Sequence, residues 1–201
     1  MKRRAEYGIY VRFIKRILDV VFSTLLLLLL ALPMLAIAVA ISAESDGGAI
    51  FRQRRRGRGG EIFICYKFRT MYREAPPYTP ASSFEDRDRY VTRIGRFLRS
   101  TSLDELPQLY NVLCGQMSIV GPRPLICEEE DMHNLRMSAG IYRLRPGITG
   151  MAQVCGRNML DDDQKLEKDR YYLSNLKMGL DLKIVFKTFF KVLKKEGIEV
   201  E

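Results

Sequence analysis

The sequence predicts an α+β protein, mostly helical with one small β-hairpin, that attaches to a membrane near its N-terminus. Residues 20–43 carry no charged side chain, and two alternating segments flank a Gly-rich loop at 57–60. A basic helical stripe follows near the C-terminus. We therefore divide the 201 residues into four parts: a basic segment at 1–16, a membrane helix at 17–43, a globular cytoplasmic domain at 44–178 and a basic amphipathic helix at 179–201.

Composition limits the kind of partner and of site. The net charge of +9 favours anionic partners such as nucleotides, phospholipid head groups or nucleic acid. The single histidine, His133, lies in a polar stretch, so we expect a surface residue and neither a catalytic triad nor a multi-histidine metal site. The four cysteines form no C-x-x-C pair, and we expect reduced, small core residues rather than a zinc or redox site.

The apolar segment 20–43 is long enough to cross a bilayer, since 24 helical residues reach ~36 Å. Basic residues stand at both ends, including Lys15 and Arg16 before it, and positive charge prefers the cytoplasmic side. Pro33 lacks an N–H and predicts a kink. We expect a re-entrant helix that bends near Pro33 and returns to the same face; one ordinary crossing stays open. Asp19 is predicted to pair with Lys15 or Arg16, one turn earlier.

A second amphipathic segment spans 181–195. Its apolar residues follow helical spacing at 182, 185, 186, 189, 190 and 193, while the lysines lie mostly off that stripe. Such a helix could lie in the plane of the lipid head groups. The alternative, a helix that packs on the core with its lysines facing solvent, stays open, and both descriptions can hold for different faces of the helix.

Two short strands are predicted at 49–54 and 61–71, joined by the loop at 57–60. Alternation places Lys67 and Arg69 on the same face as Phe63, where two cations could hold a phosphate, although a charged sheet edge is equally compatible. We expect a mobile loop at 73–90 and a short helix at 91–99 with Ile94, Phe97 and Leu98 inward.

The acidic pair Asp104–Glu105 follows Ser102, and this spacing predicts a helix that begins with a capping box between Ser102 and Glu105. Leucines and Tyr110 should form its buried stripe. On a neighbouring ridge, Asp104, Gln108 and Asn111 could line one wall of a cleft.

A carboxylate at a helix N-terminus lies in a positive field that also attracts phosphate. Asp104 as nucleophile, Glu105 as ligand of Mg²⁺ and Arg99 as phosphate contact would form a phosphate-cleaving site. Two stiff loops supply further basic residues, namely 121–124 with Arg123 between two prolines, and 145–150 with Arg145.

In this order the motifs resemble the monotopic phosphoglycosyl transferases, bacterial sugar transferases that begin glycan assembly on a polyprenyl phosphate. The resemblance covers about residues 11–197 and is most specific in Ser-Leu-Asp-Glu-Leu-Pro-Gln followed by Gly-Pro-Arg-Pro. The matching segments are 15–19, 53–57, 66–71, 102–108, 121–125, 145–150, 156–158 and 169–172.

The resemblance implies transfer of sugar-1-phosphate from a nucleotide-diphosphate sugar to undecaprenyl phosphate. The implied mechanism is ping-pong, through a phosphosugar ester on Asp104, with Mg²⁺ held by Glu105. It also implies a catalytic domain at the cytoplasmic face of the bacterial inner membrane, in contact with phospholipid. The expected substrate-binding residues are Lys67, Arg69, Arg99, Gln108, Arg123, Arg145, Gln153, Arg157 and Asp169.

Met151 and Cys155 depart from the usual tryptophan and asparagine of this family, and 161–164 lacks a tryptophan, so the sugar stays open. A homodimer is compatible with the sequence but not specified by it. A membrane-tethered nucleic-acid binder using the arginines at 52–58 is disfavoured, because no aromatic stacking platform accompanies them. A non-enzymatic scaffold and a metal-dependent phosphodiesterase are the remaining alternatives.

Overall fold

The computed structural model describes residues 9–75, 87–156 and 159–194. It confirms a mixed, largely helical α+β fold with small sheets. After a π-helical turn at Tyr10–Ile14, the elements are α1 Lys15–Leu29, α2 Ala31–Glu44, β1 Ile50–Arg56, β2 Ile62–Phe68, α3 Arg93–Thr101, α4 Gln108–Leu113, β3 Ser118–Val120, α5 Glu130–Ser138, β4 Gly147–Thr149, α6 Met151–Cys155, α7 Asp162–Ser174 and α8 Met178–Lys194.

The apolar segment forms two helices with a break at Leu30. Among the residues that the structure describes, no single helix has the length and apolar composition to cross a bilayer, whereas α1 and α2 together do, across a bend of 62°. Pro33 is the third residue of α2, so the break precedes it by three residues. Since proline has no N–H to offer the carbonyl four residues earlier, the break lies where a bond of the helix is missing.

The predicted hairpin is present. Strands β1 and β2 pair antiparallel, with Gln53 opposite Cys65. Phe63 and Cys65 are buried while Ile62 and Ile64 are exposed, as the alternation predicts. A second sheet was not foreseen: β3 and β4 pair in parallel, and three-residue strands leave too short a pattern to recognise. The loop predicted at 73–90 falls largely on 76–86, outside the described residues.

Helix α8 packs on the core through Leu180 and Ile184, which are buried. The expected core packing is therefore present, but through residues outside the predicted stripe, whereas the stripe residues themselves are exposed. Phe186, Phe189 and Phe190 are 63%, 59% and 56% exposed, respectively. The buried residues lie about one position before those of the predicted stripe. The side of the helix that carries the three phenylalanines is therefore mostly uncovered.

A buried carboxylate joins the two ends of the chain. Asp181 on α8 accepts hydrogen bonds from Tyr10 Oη at 2.6 Å, Lys15 Nζ at 2.6 Å and Tyr172 Oη at 2.7 Å. The ion pair with Lys15 is mostly shielded from solvent. This cluster fixes the first turn of α1 against α7 and α8.

The predicted pairing of Asp19 with Lys15 or Arg16 is wrong. Asp19 is buried and accepts a hydrogen bond from the Ile119 N–H at 3.0 Å. Arg16 donates to the carbonyls of Val112 and Leu113 at the end of α4. Both side chains reach long-range partners on the domain, and helical spacing alone gave no sign of those partners.

Other expectations of burial need correction. His133 is buried, not superficial, and its ring contacts Tyr142 Oη and the Ile126 carbonyl. Phe97 is exposed although Leu98 is buried. Of the four cysteines, Cys65 is buried but Cys114 and Cys155 are exposed. These expectations failed because local sequence does not specify which distant segment covers a side chain.

Replacing Asp181 by Asn should destabilise the protein strongly. The substitution leaves Lys15 shielded without its counter-charge, a loss of roughly 3–5 kcal/mol. The matched control is Asp162→Asn, which removes an exposed pair with Lys165 and should change the unfolding free energy by about 0.5 kcal/mol at most. Denaturant unfolding in detergent micelles measures both, and equal effects would contradict the anchoring role of Asp181.

Stability should depend on pH through His133. Burial lowers its pKa below the usual 6.5, against the weaker opposing effect of the Ile126 carbonyl. The unfolded chain therefore binds more protons at this residue than the native state does. The contribution of His133 to the unfolding free energy is fully present above the pKa of the unfolded chain and is lost as the pH falls through that pKa. His133→Gln should be less stable at about pH 8 but should lose stability less steeply on acidification. Parallel pH profiles would refute this effect.

Candidate active site

The acidic pair lies on a tight turn between α3 and α4. Thr92 caps α3, its hydroxyl accepting from the Gly95 N–H at 2.8 Å. Ser102 ends the helix in the left-handed region, with φ of 56°, and a single 3-10 turn, Leu103–Glu105, follows. The predicted capping box is therefore wrong: Ser102 terminates α3 and its side chain makes no cap. Helix α4 starts only after Pro107.

Glu105 is the centre of an ion cluster. Its Oε1 accepts from Lys67 Nζ at 2.7 Å and from both terminal nitrogens of Arg123 at 3.2 Å. Lys67 Nζ also lies 3.9 Å from Asp104 Oδ2. The structure thus brings together β2, the 103–105 turn and the 121–124 loop, as the motifs predicted. Glu105 is 9% and Arg123 36% exposed at the side chain, so the arginine is the more accessible member of this pair.

Asp104 sits in a mixed electrostatic environment. Burial raises the pKa of its carboxyl, and neighbouring Glu105 adds to that effect, while Lys67, Arg123 and Arg99 lower it. Arg99 thus lies near enough to act on Asp104 electrostatically, while its predicted contact with phosphate stays a prediction. Arg99 Nε donates to Thr70 Oγ1 at 2.9 Å, and α3 can lie this close to Thr70 because Gly95 has no Cβ: an added one would meet the Thr70 carbonyl at 2.0 Å.

The loop that carries Arg123 is held by its backbone at both ends. Gly121 N–H donates to Thr149 at 2.8 Å and the Pro122 carbonyl accepts from Gly147 at 2.9 Å. On the other side, Arg55 donates to the Pro124 carbonyl at 2.6 Å. Prolines at 122 and 124 fix φ on either side of Arg123, so the guanidinium starts from a rigid base.

This contact also explains the Gln53-x-Arg55 motif. Gln53 Oε1 accepts from Arg55 Nε and NH2 at 3.0 and 2.6 Å, which orients the guanidinium towards the loop. The attraction of the Glu105 carboxylate raises the pKa of Arg123.

Several residues expected in the pocket lie elsewhere. Arg69 donates to the carbonyls of Ser45, Asp46 and Gly47 after α2, rather than joining Lys67. Arg145 Nε donates to the Gly115 carbonyl at 2.8 Å, near Arg16.

Asp169 is 1% exposed and pairs with Arg136 at 2.6 Å, so it does not open into the site. Gln108 is buried at the start of α4, and Asn111 is buried with hydrogen bonds to Ile64 and Tyr66 of β2. Asn111 therefore ties α4 to the hairpin instead of lining a cleft. Tyr110, expected to be buried, is exposed.

Two further residues complete the comparison with the sequence. Gln153 Nε2 donates to the Ile148 carbonyl at 2.9 Å, while its Oε1 is buried without a hydrogen-bond partner. Arg157 lies outside the described residues. The sequence gave no indication of Arg136, because it stands in an ordinary helix outside every motif.

The acidic pair suits a magnesium ion that is shared with substrate. Within 9–75, 87–156 and 159–194 no three His, Cys, Asp or Glu side chains form a metal cluster. Mg²⁺ commonly needs only one or two carboxylates when substrate phosphates and water supply the other oxygens. Asp104 and Glu105 are the two carboxylates here that could supply such oxygens.

Known proteins resemble this chain over most of its length. A family model described as bacterial sugar transferase matches residues 10–195. An undecaprenyl-phosphate galactose phosphotransferase of Salmonella typhimurium is 39% identical over 92% of this chain and 42% of its own length. A UDP-glucose:undecaprenyl-phosphate glucose-1-phosphate transferase of Caulobacter vibrioides is 44% identical, covering 87% of this chain and 67% of the relative.

A shorter relative matches almost end to end. The uncharacterized sugar transferase EpsL of Bacillus subtilis is 38% identical over 92% of this chain and 90% of its own length. By contrast, the chain spans less than half of the Salmonella relative. Since the family model covers nearly the whole chain, the chain belongs to the bacterial sugar transferase family.

Proposed function

We propose that this protein transfers sugar-1-phosphate from a UDP-sugar to undecaprenyl phosphate and releases UMP. The observation that carries the proposal is the shielded acidic pair Asp104–Glu105 beside Lys67, Arg99 and Arg123. Basic groups there can bind a diphosphate and offset its repulsion of the carboxylates. The named relatives from Salmonella and Caulobacter act on undecaprenyl phosphate, which supports the choice of acceptor.

In the first half-reaction, an Asp104 carboxylate oxygen attacks the phosphorus that carries the sugar. The bond from that phosphorus to the bridging oxygen breaks, and UMP leaves with the oxygen and its electron pair. In the second, an oxygen of undecaprenyl phosphate attacks the same phosphorus and Asp104 leaves as a free carboxylate. Covalent catalysis of this kind lets one small site serve a soluble donor and a lipid acceptor in turn.

The basic residues have separate tasks in this scheme. Lys67 holds Glu105 and lies near Asp104, so it favours the ionised nucleophile. Arg123, whose side chain is more exposed than those of Lys67, Asp104 and Glu105, is placed to contact the incoming phosphate. Asp104, with 13% of its side chain exposed, carries little water that must be displaced before attack.

Asp104 and Glu105 are the residues that would hold Mg²⁺, with Glu105 as the principal ligand. When bound there, the ion would neutralise phosphate charge and act as a Lewis acid. Lys67 and Arg123 would retain their contacts with the substrate side of the cluster.

We propose that α1 and α2 form a re-entrant membrane helix at the cytoplasmic face of the bacterial inner membrane. The apolar side chains around the bend are exposed, with Leu28, Leu29 and Leu32 at 72%, 74% and 78%. Charged flanks on both sides favour the same face. Because Asp181 binds Lys15, the domain stays close to the base of this helix, where a polyprenyl phosphate head group would lie.

Helix α8 would then rest on the same surface. Its exposed Phe186 and Phe190, with Lys183, Lys187 and Lys191, border a shallow groove of about 500 Å³. Exposed aromatic rings beside lysines are the pattern of interfacial helices on anionic lipid.

Asp104→Asn should abolish UMP release, because the amide cannot act as the nucleophile, while the protein still folds and binds membrane. We expect at least a ~10³-fold loss of kcat. Asp163→Asn, at an exposed position on α7, is the matched control and should keep its activity. UMP release from a panel of UDP-sugars measures both and identifies the sugar. Normal turnover in Asp104→Asn would exclude the covalent mechanism.

The two flanks of the bent helix should be labelled from the same side. Cysteines introduced at Phe13 and Gly48, in a background whose native cysteines are replaced, would react with a membrane-impermeant maleimide only after the cytoplasmic face is opened. Labelling of the two positions from opposite sides would favour one ordinary crossing.

A separate assay distinguishes the transferase from a metal-dependent phosphodiesterase. The phosphodiesterase would release free sugar phosphate from the UDP-sugar in the absence of lipid, whereas the transferase would not.

A further inference from the structure

We propose that Arg136 and Asp169 form a positioning pair that fixes the place of Arg123 beside the acidic pair; its catalytic consequence rests on the proposed function. Arg136 NH2 donates to Asp169 Oδ2 at 2.6 Å, and Arg136 NH1 donates to the backbone carbonyl of Arg123 at 2.7 Å. Both members are buried, at 4% and 1% exposure. Because Arg136 bonds the backbone of the loop, the pair acts on Arg123 through the loop.

Arg123 depends on this contact because of how its loop is built. The backbone of Gly121 and Pro122 is hydrogen-bonded to β4, and the carbonyl of Pro124 accepts a hydrogen bond from Arg55 of β1. The carbonyl of Arg123 itself is held by Arg136 from α5. The prolines fix φ on both sides of Arg123. If the carbonyl of Arg123 loses its hydrogen bond, the peptide group can rotate, and the Arg123 side chain then moves relative to Glu105.

A fork of two donors is required for this task. One guanidinium nitrogen is used by Asp169 and another by the carbonyl, and a planar guanidinium holds both in a fixed relation. Lysine offers one compact ammonium, which the buried carboxylate of Asp169 would take. Asp169 on α7 thus orients a residue on α5, which in turn holds the loop, so three distant segments set one side chain.

Arg136→Lys tests the pair, because it keeps the buried charge and removes the second donor. We expect kcat/KM for UMP release to fall about 10-fold while Tm changes by no more than roughly 3 °C. In the Arg123→Ala background the same substitution should lower kcat/KM by less than about 2-fold, because the side chain it positions is gone. Arg143→Lys, on an exposed arginine of the next turn, is the matched control and should change neither quantity.

A second measurement does not depend on activity. Amide hydrogen exchange within 121–126 should be about 10-fold faster in Arg136→Lys than in the wild type. Asp169→Asn should show the same local increase together with a lower Tm; should it fail to fold, Arg136→Lys alone decides. Unchanged exchange, or an equal loss of activity with and without Arg123, would overturn the proposal. If Arg136→Lys shows faster exchange than the wild type but the wild type releases no UMP, the proposed function is refuted and the positioning role stands.

Discussion

One carboxylate oxygen organises the site: Glu105 Oε1, which accepts hydrogen bonds from Lys67 and from Arg123. These contacts join a strand, a turn and a loop that are far apart in sequence. Because two cations and two acids share a largely shielded space, each charge is compensated by a neighbour and none is left isolated at a cost in folding free energy. The same balance places positive charge near Asp104, where the proposed phosphate substrate would need it.

The attachment of the bent helix to the domain follows a similar principle. The polar side chains at the start of α1 form hydrogen bonds with the globular domain. Lys15 donates to Asp181, Arg16 donates to a carbonyl at the end of α4, and Asp19 accepts from a backbone N–H of β3. Three long-range contacts within five residues give α1 a fixed direction as it leaves the domain. The C-terminal part of α2 also packs on the domain, where Ile41 lies against Phe68 and Leu98. The exposed apolar side chains around the bend, such as Leu29 and Leu32, are those that would meet lipid in the proposed membrane attachment.

The sequence predicts the parts whose signal is local. Hairpin alternation, the amphipathic C-terminal segment and the approach of Lys67 and Arg123 to the acids follow from strand period and motif composition. The partners of Asp19, Asp169 and His133 could not be predicted, because each is bound by a residue from a distant segment. Ser102 shows a different difficulty: its spacing to Glu105 fits a capping box, but the left-handed turn that ends α3 uses the serine and leaves Glu105 for the ion cluster.

The account depends on bond formation between Asp104 and phosphorus. Intact-protein and peptide mass spectrometry of the wild type, mixed with a UDP-sugar donor and Mg²⁺ but no lipid acceptor, tests this most directly. The account predicts a phosphosugar adduct on the peptide that contains Asp104, and its loss when undecaprenyl phosphate is added. UMP release without any adduct, whether undecaprenyl phosphate is absent or present, would contradict the account. An adduct on another residue would also contradict it.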